Sequence, residues 1–233
     1  MRVLIIGAGR LGSVVTPLLV AAGFDARLVR RGDPIALAEV YWLTVRDAQL
    51  EELSGKLPSS SIQIHSAGAL GPEALGTAVE RAVLHPLMSF RPGGAAPAGT
   101  VHARVSGTVL ATQAARRLCA ALGWQAFEYH GDPVRYHAAA CMVSGHVAAL
   151  FLDAADLLVQ DGLTPQEARA RLLSLATESL RNVAELGDRG LTGPAVRGDI
   201  TTIQAHEAAL DEANIDAYRA LSRRVSARTT SSG

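Results

Sequence analysis

Lysine is nearly missing from this chain: of its 22 basic residues, one, Lys56, is a lysine and the rest are arginines. Any chemistry that needs an amine side chain must use that residue or do without. Net charge is missing too, since 22 acidic residues balance the 22 basic ones. The overall attraction that drives non-specific binding to nucleic acid or to anionic membranes is therefore absent, and any bound anion must be met locally. Cysteine is scarce, with Cys119 and Cys141 in no CxxC spacing. Such usage excludes a disulfide framework and a thiolate metal site and points to a reducing cytoplasm. Long apolar runs are also lacking. Val3 to Ile6 is too short for a signal peptide, and Ala138 to Leu152 is interrupted by Ser144, Gly145 and His146 and falls below the roughly 20 residues of a membrane span. A soluble protein with neither a nucleic-acid nor a membrane partner is expected.

What the chain does have is 48% hydrophobic residues over 233 positions, enough for one or two globular domains. Short apolar runs alternate with helical stretches in the first half: Val3 to Ile6, Arg27 to Val29, Val40 to Val45, Ile62 to His65, Ala82 to Leu84, Val101 to Val105 and Gln125 to Tyr129. Alternation of this kind predicts an α/β fold with a doubly wound, mostly parallel sheet. From about Tyr136 the pattern is helical throughout, with Gly162 ending one helix, Thr164-Pro165 opening the next and Gly187 closing it. The expected division is a dinucleotide-binding domain over 1–130 and an all-helical domain over 131–233, with a turn at Gly131-Asp132-Pro133 and a frayed tail from Thr229 to Gly233.

The first strand runs into Gly7-Ala8-Gly9-Arg10-Leu11-Gly12, a GxGxxG placed between a strand and a helix. There Gly7 permits the tight turn, Gly9 lets a pyrophosphate approach the backbone, and Gly12 lets the helix pack on the strand. The acidic residue that would hold the ribose of NAD about 20 residues on is replaced by Arg30-Arg31. Guanidinium groups suit a 2′-phosphate, so NADP(H) is expected in preference to NAD(H). Alternatively, the arginines are a solvated strand end and Asp33 turns in to the ribose. Only Arg30 to Glu39 separate the second strand from the third, too few for a full crossover helix. That helix should be vestigial and the adenosine end of the pocket open or lost.

Ligands of parallel sheets bind at the carboxyl ends of the strands. Polar residues predicted there are Arg46 and Asp47, then His65-Ser66-Ala67-Gly68, then His85-Pro86. His137, Cys141 and Ser144 fall on one helical face. For each histidine alone, a buried imidazole bonded to backbone is the competing reading. Asp199 is placed to cap the helix that follows it. His206-Glu207 starts like a zinc-protease motif, but position 210 is leucine, which removes the second ligand.

Taken together, GAGRLG, His65-Ser66-Ala67-Gly68, His85-Pro86-Leu87, Tyr136-His137-Ala138-Ala139 and Leu191-Thr192-Gly193-Pro194 with Arg197-Gly198-Asp199 resemble one family. It comprises Rossmann-like proteins with a C-terminal helical domain of unknown function, within the 6-phosphogluconate dehydrogenase-like superfamily. The layout is more distantly similar to pyrroline-5-carboxylate reductase and ketopantoate reductase. The resemblance implies a Rossmann-type sheet followed by helices, an NADPH-dependent reduction of a small imine or ketone, and a homodimer formed through the helical domain. This chain departs from the family at Gly145, where asparagine is usual, at Arg46-Asp47, where Pro-Asp is usual, and in the shortened second crossover.

On this reading hydride passes between the cofactor and a polarised carbon, and a side chain supplies the proton. Lys56, expected in the loop before the fourth strand, is at the wrong edge of the sheet. The candidates are His137, His85, Tyr136 and Thr192, with His137 first because histidine ordinarily titrates near neutrality, or else the substrate is an already protonated imine that needs only positioning. Gly7, Gly9, Arg10, Leu11, Gly12, Arg30, Arg31, Arg46 and Ser66 are expected to hold the cofactor. The alternative is a nucleotide-binding or sensing protein that kept the fold and lost turnover.

Overall fold

The structure, a computed structural model, describes residues 1–91, 93 and 96–230. Two compact units divide it, Met1–Ser144 and Gly145–Gly233. In the first, β1 (Arg2–Ile6), α1 (Arg10–Ala21), β2 (Asp25–Val29), β3 (Val40–Leu43), α2 (Leu50–Ser54), β4 (Ile62–His65), β5 (Glu80–Pro86), β6 (His102–Gly107), α3 (Val109–Ala121), β7 (Gln125–Phe127) and α4 (Pro133–Cys141) follow in order. The strands make one sheet in the order β2-β1-β3-β4-β5-β6-β7, parallel except where β5 meets β6.

Both faces of the central strands are buried, which is why they read as continuous apolar runs and not as an alternation. Val3 and Ile5 of β1 join Val40 and Trp42 of β3 on the face covered by α1 and α3, where Val15, Leu19, Ala115 and Leu118 pack. Leu4 and Ile6 join Tyr41 and Leu43 on the other face, against Leu50, Leu57 and Leu75. No helix covers that second face between β2 and β3, as the short connection predicts. Tyr41 holds the segment in its place: its hydroxyl donates to the Ala36 carbonyl at 3.1 Å and accepts from the Ala38 N–H at 3.0 Å.

The second unit contains α5 (Val147–Gln160), α6 (Pro165–Leu186), α7 (Pro194–Arg197), α8 (Ile200–Ala209) and α9 (Glu212–Thr230). Thr164 and Glu167 form a reciprocal capping box at the start of α6, and Asp199 caps α8 through the Thr202 N–H at 3.1 Å. The last helix reaches Thr230, so the expected fraying does not begin at Thr229; residues 231–233 lie outside the described residues.

The observed units differ in their boundary from the expected division at residue 130. The sheet-containing unit runs beyond residue 130 to Ser144 because α4 belongs to it, anchored by Tyr136 against Phe127 and Tyr129. Ser144-Gly145-His146, which break the apolar run, lie within a continuous helix, as the shared face of His137, Cys141 and Ser144 requires. Met142–His146 form a π turn, so that Pro133–Gln160 is one helical run of 28 residues. By length and composition alone it is apolar enough to cross a membrane. Its α4 part is seated on the sheet unit through Tyr136, and its α5 part packs along α6.

Candidate functional site

The parallel strands bring Ile6, Leu43, His65 and Pro86 to one edge of the sheet, and two groups of candidate residues gather there. The first surrounds the glycine turn. Gly7 has φ +121°, and a Cβ at that position would lie 2.6 Å from the Thr44 carbonyl oxygen. Thr44 closes the turn by donating from Oγ1 to the Gly7 carbonyl at 2.8 Å. A Cβ on Gly12 would lie 2.0 Å from the Gly7 carbonyl, so only glycine lets α1 begin this close to β1. Gly9 differs, since its nearest neighbour would be 4.0 Å away, and its backbone is open to a ligand. Arg10, Leu11 and Gly12 form the first turn of α1, which contains no acidic side chain and receives no side-chain cap, leaving its N–H donors for an anion.

In front of this turn lies a cleft of ≈ 440 Å³ lined by Gly7, Gly9, Arg30, Arg31, Asp33 and Arg46 among others. Among the described residues, none of the three guanidinium groups pairs with a carboxylate. Asp33 is engaged elsewhere: its Oδ2 accepts from the Arg30 N–H at 2.9 Å and closes the turn after β2. Ile35, Val45 and Leu53 supply apolar lining that the sequence did not single out.

The second group surrounds Gly68. A Cβ there would lie 2.3 Å from His137 Nδ1 and 2.8 Å from His85 Nε2, so both imidazoles sit directly on this glycine. The two rings are perpendicular with centroids 5.7 Å apart. His85 Nδ1 is 3.0 Å from the Tyr136 hydroxyl. Burial, reinforced by His137 and Arg104, pushes the His85 pKa down to about 4, and burial pushes the Tyr136 phenol up to about 12. At neutral pH the imidazole is uncharged and the phenol keeps its proton. His137 Nε2 is 3.7 Å from Cys141 Sγ, while its Nδ1 is buried with no partner. Arg104 completes the cluster. It stands opposite His85 in the β5–β6 register, with its guanidinium carbon 4.8 Å over the Tyr136 ring.

Not every candidate joins these groups. The Ser66 hydroxyl accepts from Trp42 Nε1 at 2.8 Å and donates to the Leu84 carbonyl at 2.7 Å, so it ties β3, β4 and β5 together. His65 is likewise satisfied, between the Gly71 carbonyl and the Ala67 N–H. The Ser144 hydroxyl bonds back to the Ala140 carbonyl. Lys56 pairs with Glu52 on the surface. Thr192 belongs to the helical unit, where it lines a groove of ≈ 300 Å³ with Leu150, Leu157 and Tyr218.

The sheet, its glycine turn and the appended helices define a Rossmann-type α/β protein with a C-terminal helical region. The chain belongs to the family described as a domain of unknown function (DUF2520), which matches residues 101–225, more than half its length. No curated protein matches it. Among solved structures it is similar to BF3122 of Bacteroides fragilis, named a "putative NADP oxidoreductase", with a TM-score of 0.81 and 21% identity over 97% of each chain. Similar too is protein TM1727 of Thermotoga maritima, with a TM-score of 0.75 and 18% identity over 99% of each. The Plasmodium falciparum pyrroline carboxylate reductase, solved with NADP bound, gives a TM-score of 0.61 and 12% identity over 98% of each chain. A reductive aminase from Aspergillus terreus, in complex with NADPH and ethyl levulinate, gives 0.69 and 16% over 96% of this chain and 92% of that one. At these identities the likeness establishes the fold.

Proposed function

We propose that the protein is an NADP(H)-dependent oxidoreductase that transfers hydride to or from a small carbonyl or imine. The observation that carries this reading is the open Gly9 backbone facing a cleft that holds three unpaired arginines. Pyrophosphate suits the N–H donors of α1, and a 2′-phosphate suits Arg30 and Arg31. The NADP and NADPH in the similar Plasmodium and Aspergillus structures agree with that assignment. When bound, the nicotinamide would supply hydride chemistry.

The residues around Gly68 do the rest. His85 Nδ1 and the Tyr136 hydroxyl share a hydrogen bond of 3.0 Å, which orients the ring so that Nε2 faces Gly68; with the phenol as donor, the His85 proton would sit on Nε2. His137 is the proton donor we favour, since its Nδ1 is the ring nitrogen with no partner. Burial of Tyr136 fixes both rings by holding α4 against the sheet. The missing helix between β2 and β3 favours the second reading, a nucleotide sensor without turnover. Two free thiols agree with a cytoplasmic location.

Titration of the full chain with NADPH and NADH, followed by nicotinamide fluorescence, tests the proposal. NADPH should bind more tightly, and a panel of keto acids and cyclic imines should oxidise it. Binding without oxidation across the panel favours the sensor, and no binding of either nucleotide sinks both readings. Replacing Arg30 and Arg31 together by alanine should erase the preference for NADPH, at about 1.5 to 3 kcal/mol per lost charge-assisted contact. Equal loss of both nucleotides would assign the arginines to the pyrophosphate instead.

A further inference from the structure

Arg104 carries a buried charge that forms no ion pair among the described residues. The residue is 3% exposed. Its Nη2 donates to the Leu70 carbonyl at 2.7 Å, its guanidinium carbon lies 4.8 Å over the Tyr136 ring, and its Nε has no partner among the described residues. Buried charges in proteins are normally paired or hold a ligand, because an unpaired one forfeits its hydration without return. Two buried side-chain polar atoms lack partners among the described residues, Arg104 Nε and His137 Nδ1, and both belong to the cluster around Tyr136. Register makes this placement firm: the antiparallel pairing sets Arg104 against His85. The acidic side chain that influences Arg104, Glu73, is exposed and makes no ion pair with it. An electrically neutral substrate would leave the guanidinium as it is, whereas an anionic one would satisfy it.

We propose that Arg104 anchors a substrate carboxylate, so that the substrate is a 2-oxo acid or the imine of one, with its reacting carbon beside His137. A planar carboxylate matches one planar guanidinium, while the phosphates of a dinucleotide have their own donors at the glycine turn. The C=O or C=N bond accepts hydride from NADPH at carbon and a proton from His137 at the heteroatom. A hydroxy or amino acid is the product, and NADP⁺ is the oxidised partner. The hydride step rests on the oxidoreductase reading; the carboxylate site does not.

The test is calorimetric titration of the full chain with pyruvate, 2-oxobutanoate and 2-oxoglutarate, and with the methyl ester of each, with and without NADP⁺. At least one free acid should bind ten-fold or more tighter than its ester. Arg104→Gln, which keeps a donor for the Leu70 carbonyl but removes the charge, should lose that preference, and Arg104→Lys should keep part of it. Should the glutamine variant not fold, the lysine variant carries the comparison, with a weakened preference expected. Acid and ester binding alike, no binding by any of the three acids, or a preference that survives Arg104→Gln would each overturn the inference. NADPH titration of the same variants separates the two ideas. If no nucleotide binds but the Arg104-dependent preference for acids persists, the redox reading fails alone; if NADPH binds normally and the preference is absent, the carboxylate anchor fails alone.

Discussion

His65 and His85 occupy neighbouring strands and the same edge of the sheet, yet they have different roles. Both nitrogens of His65 are taken by main-chain groups of the loop that follows it, which makes it the buried, satisfied imidazole that any lone histidine is most often expected to be. His85 bonds a phenol on one side and meets a glycine and a second imidazole on the other. Burial lowers the pKa of each. For His85 the sign is plain. Its folded value, about 4, lies below the ordinary 6.5, so between those two pH values the unfolded chain takes up a proton that the folded one refuses. Stability is held above pH 6.5 and falls as the pH drops toward 4, by up to roughly 3 kcal/mol from this residue. Urea unfolding at pH 7 and at pH 4.5 should show the loss, and His85→Asn should make it shallower. An unchanged pH dependence in the variant would assign the loss to other groups.

At the scale of elements, α6 shows how much a local signal decides. Thr164 accepts from the Glu167 N–H while the Glu167 carboxylate accepts from the Thr164 N–H, which satisfies two donors that a helix start otherwise leaves open. Thr164→Ala should therefore cost about 1 kcal/mol in chemical denaturation, within a range of roughly 0.5 to 2, without altering nucleotide binding. The same kind of signal made much of the fold legible beforehand. All seven strands were marked by apolar runs, and Gly162, Thr164 and Gly187 marked real helix ends. The antiparallel pairing of β5 with β6 was not legible, because direction is a property of the connection and no periodic pattern spans residues 87–101. Arg104 was missed for a related reason. Between Ala103 and Val105 it has the position of a solvent-facing residue on a half-buried strand, and only the return of α4 over that face buries it. The glycine turn was readable because its residues are contiguous. The cluster on Gly68 draws on β5, β6 and α4, elements remote in sequence, and no local pattern records that meeting.

For the whole molecule, the helical unit leaves large apolar side chains uncovered. Leu173 is 59% and Leu175 64% exposed, and Leu152 and Leu180 are about half exposed. Patches of this kind mark interaction surfaces. We propose that a second copy of the chain covers them, giving a homodimer through the helices. Sedimentation at micromolar concentration should then report a species near twice 24.4 kDa, and a species of 24.4 kDa alone would defeat the proposal. The open sheet bears on how such assembly is confined. Its two outer strands are β2 and β7, and an unpaired outer strand is a standing template for aggregation. Here β7 is three residues long, and β2 carries Asp25 and Arg27, with Asp25 held in an ion pair by Arg2. A short strand and a charged one are poor seeds for strand addition, so the sheet resists growing into fibrils, and the dimer proposed through the helices would not need these edges.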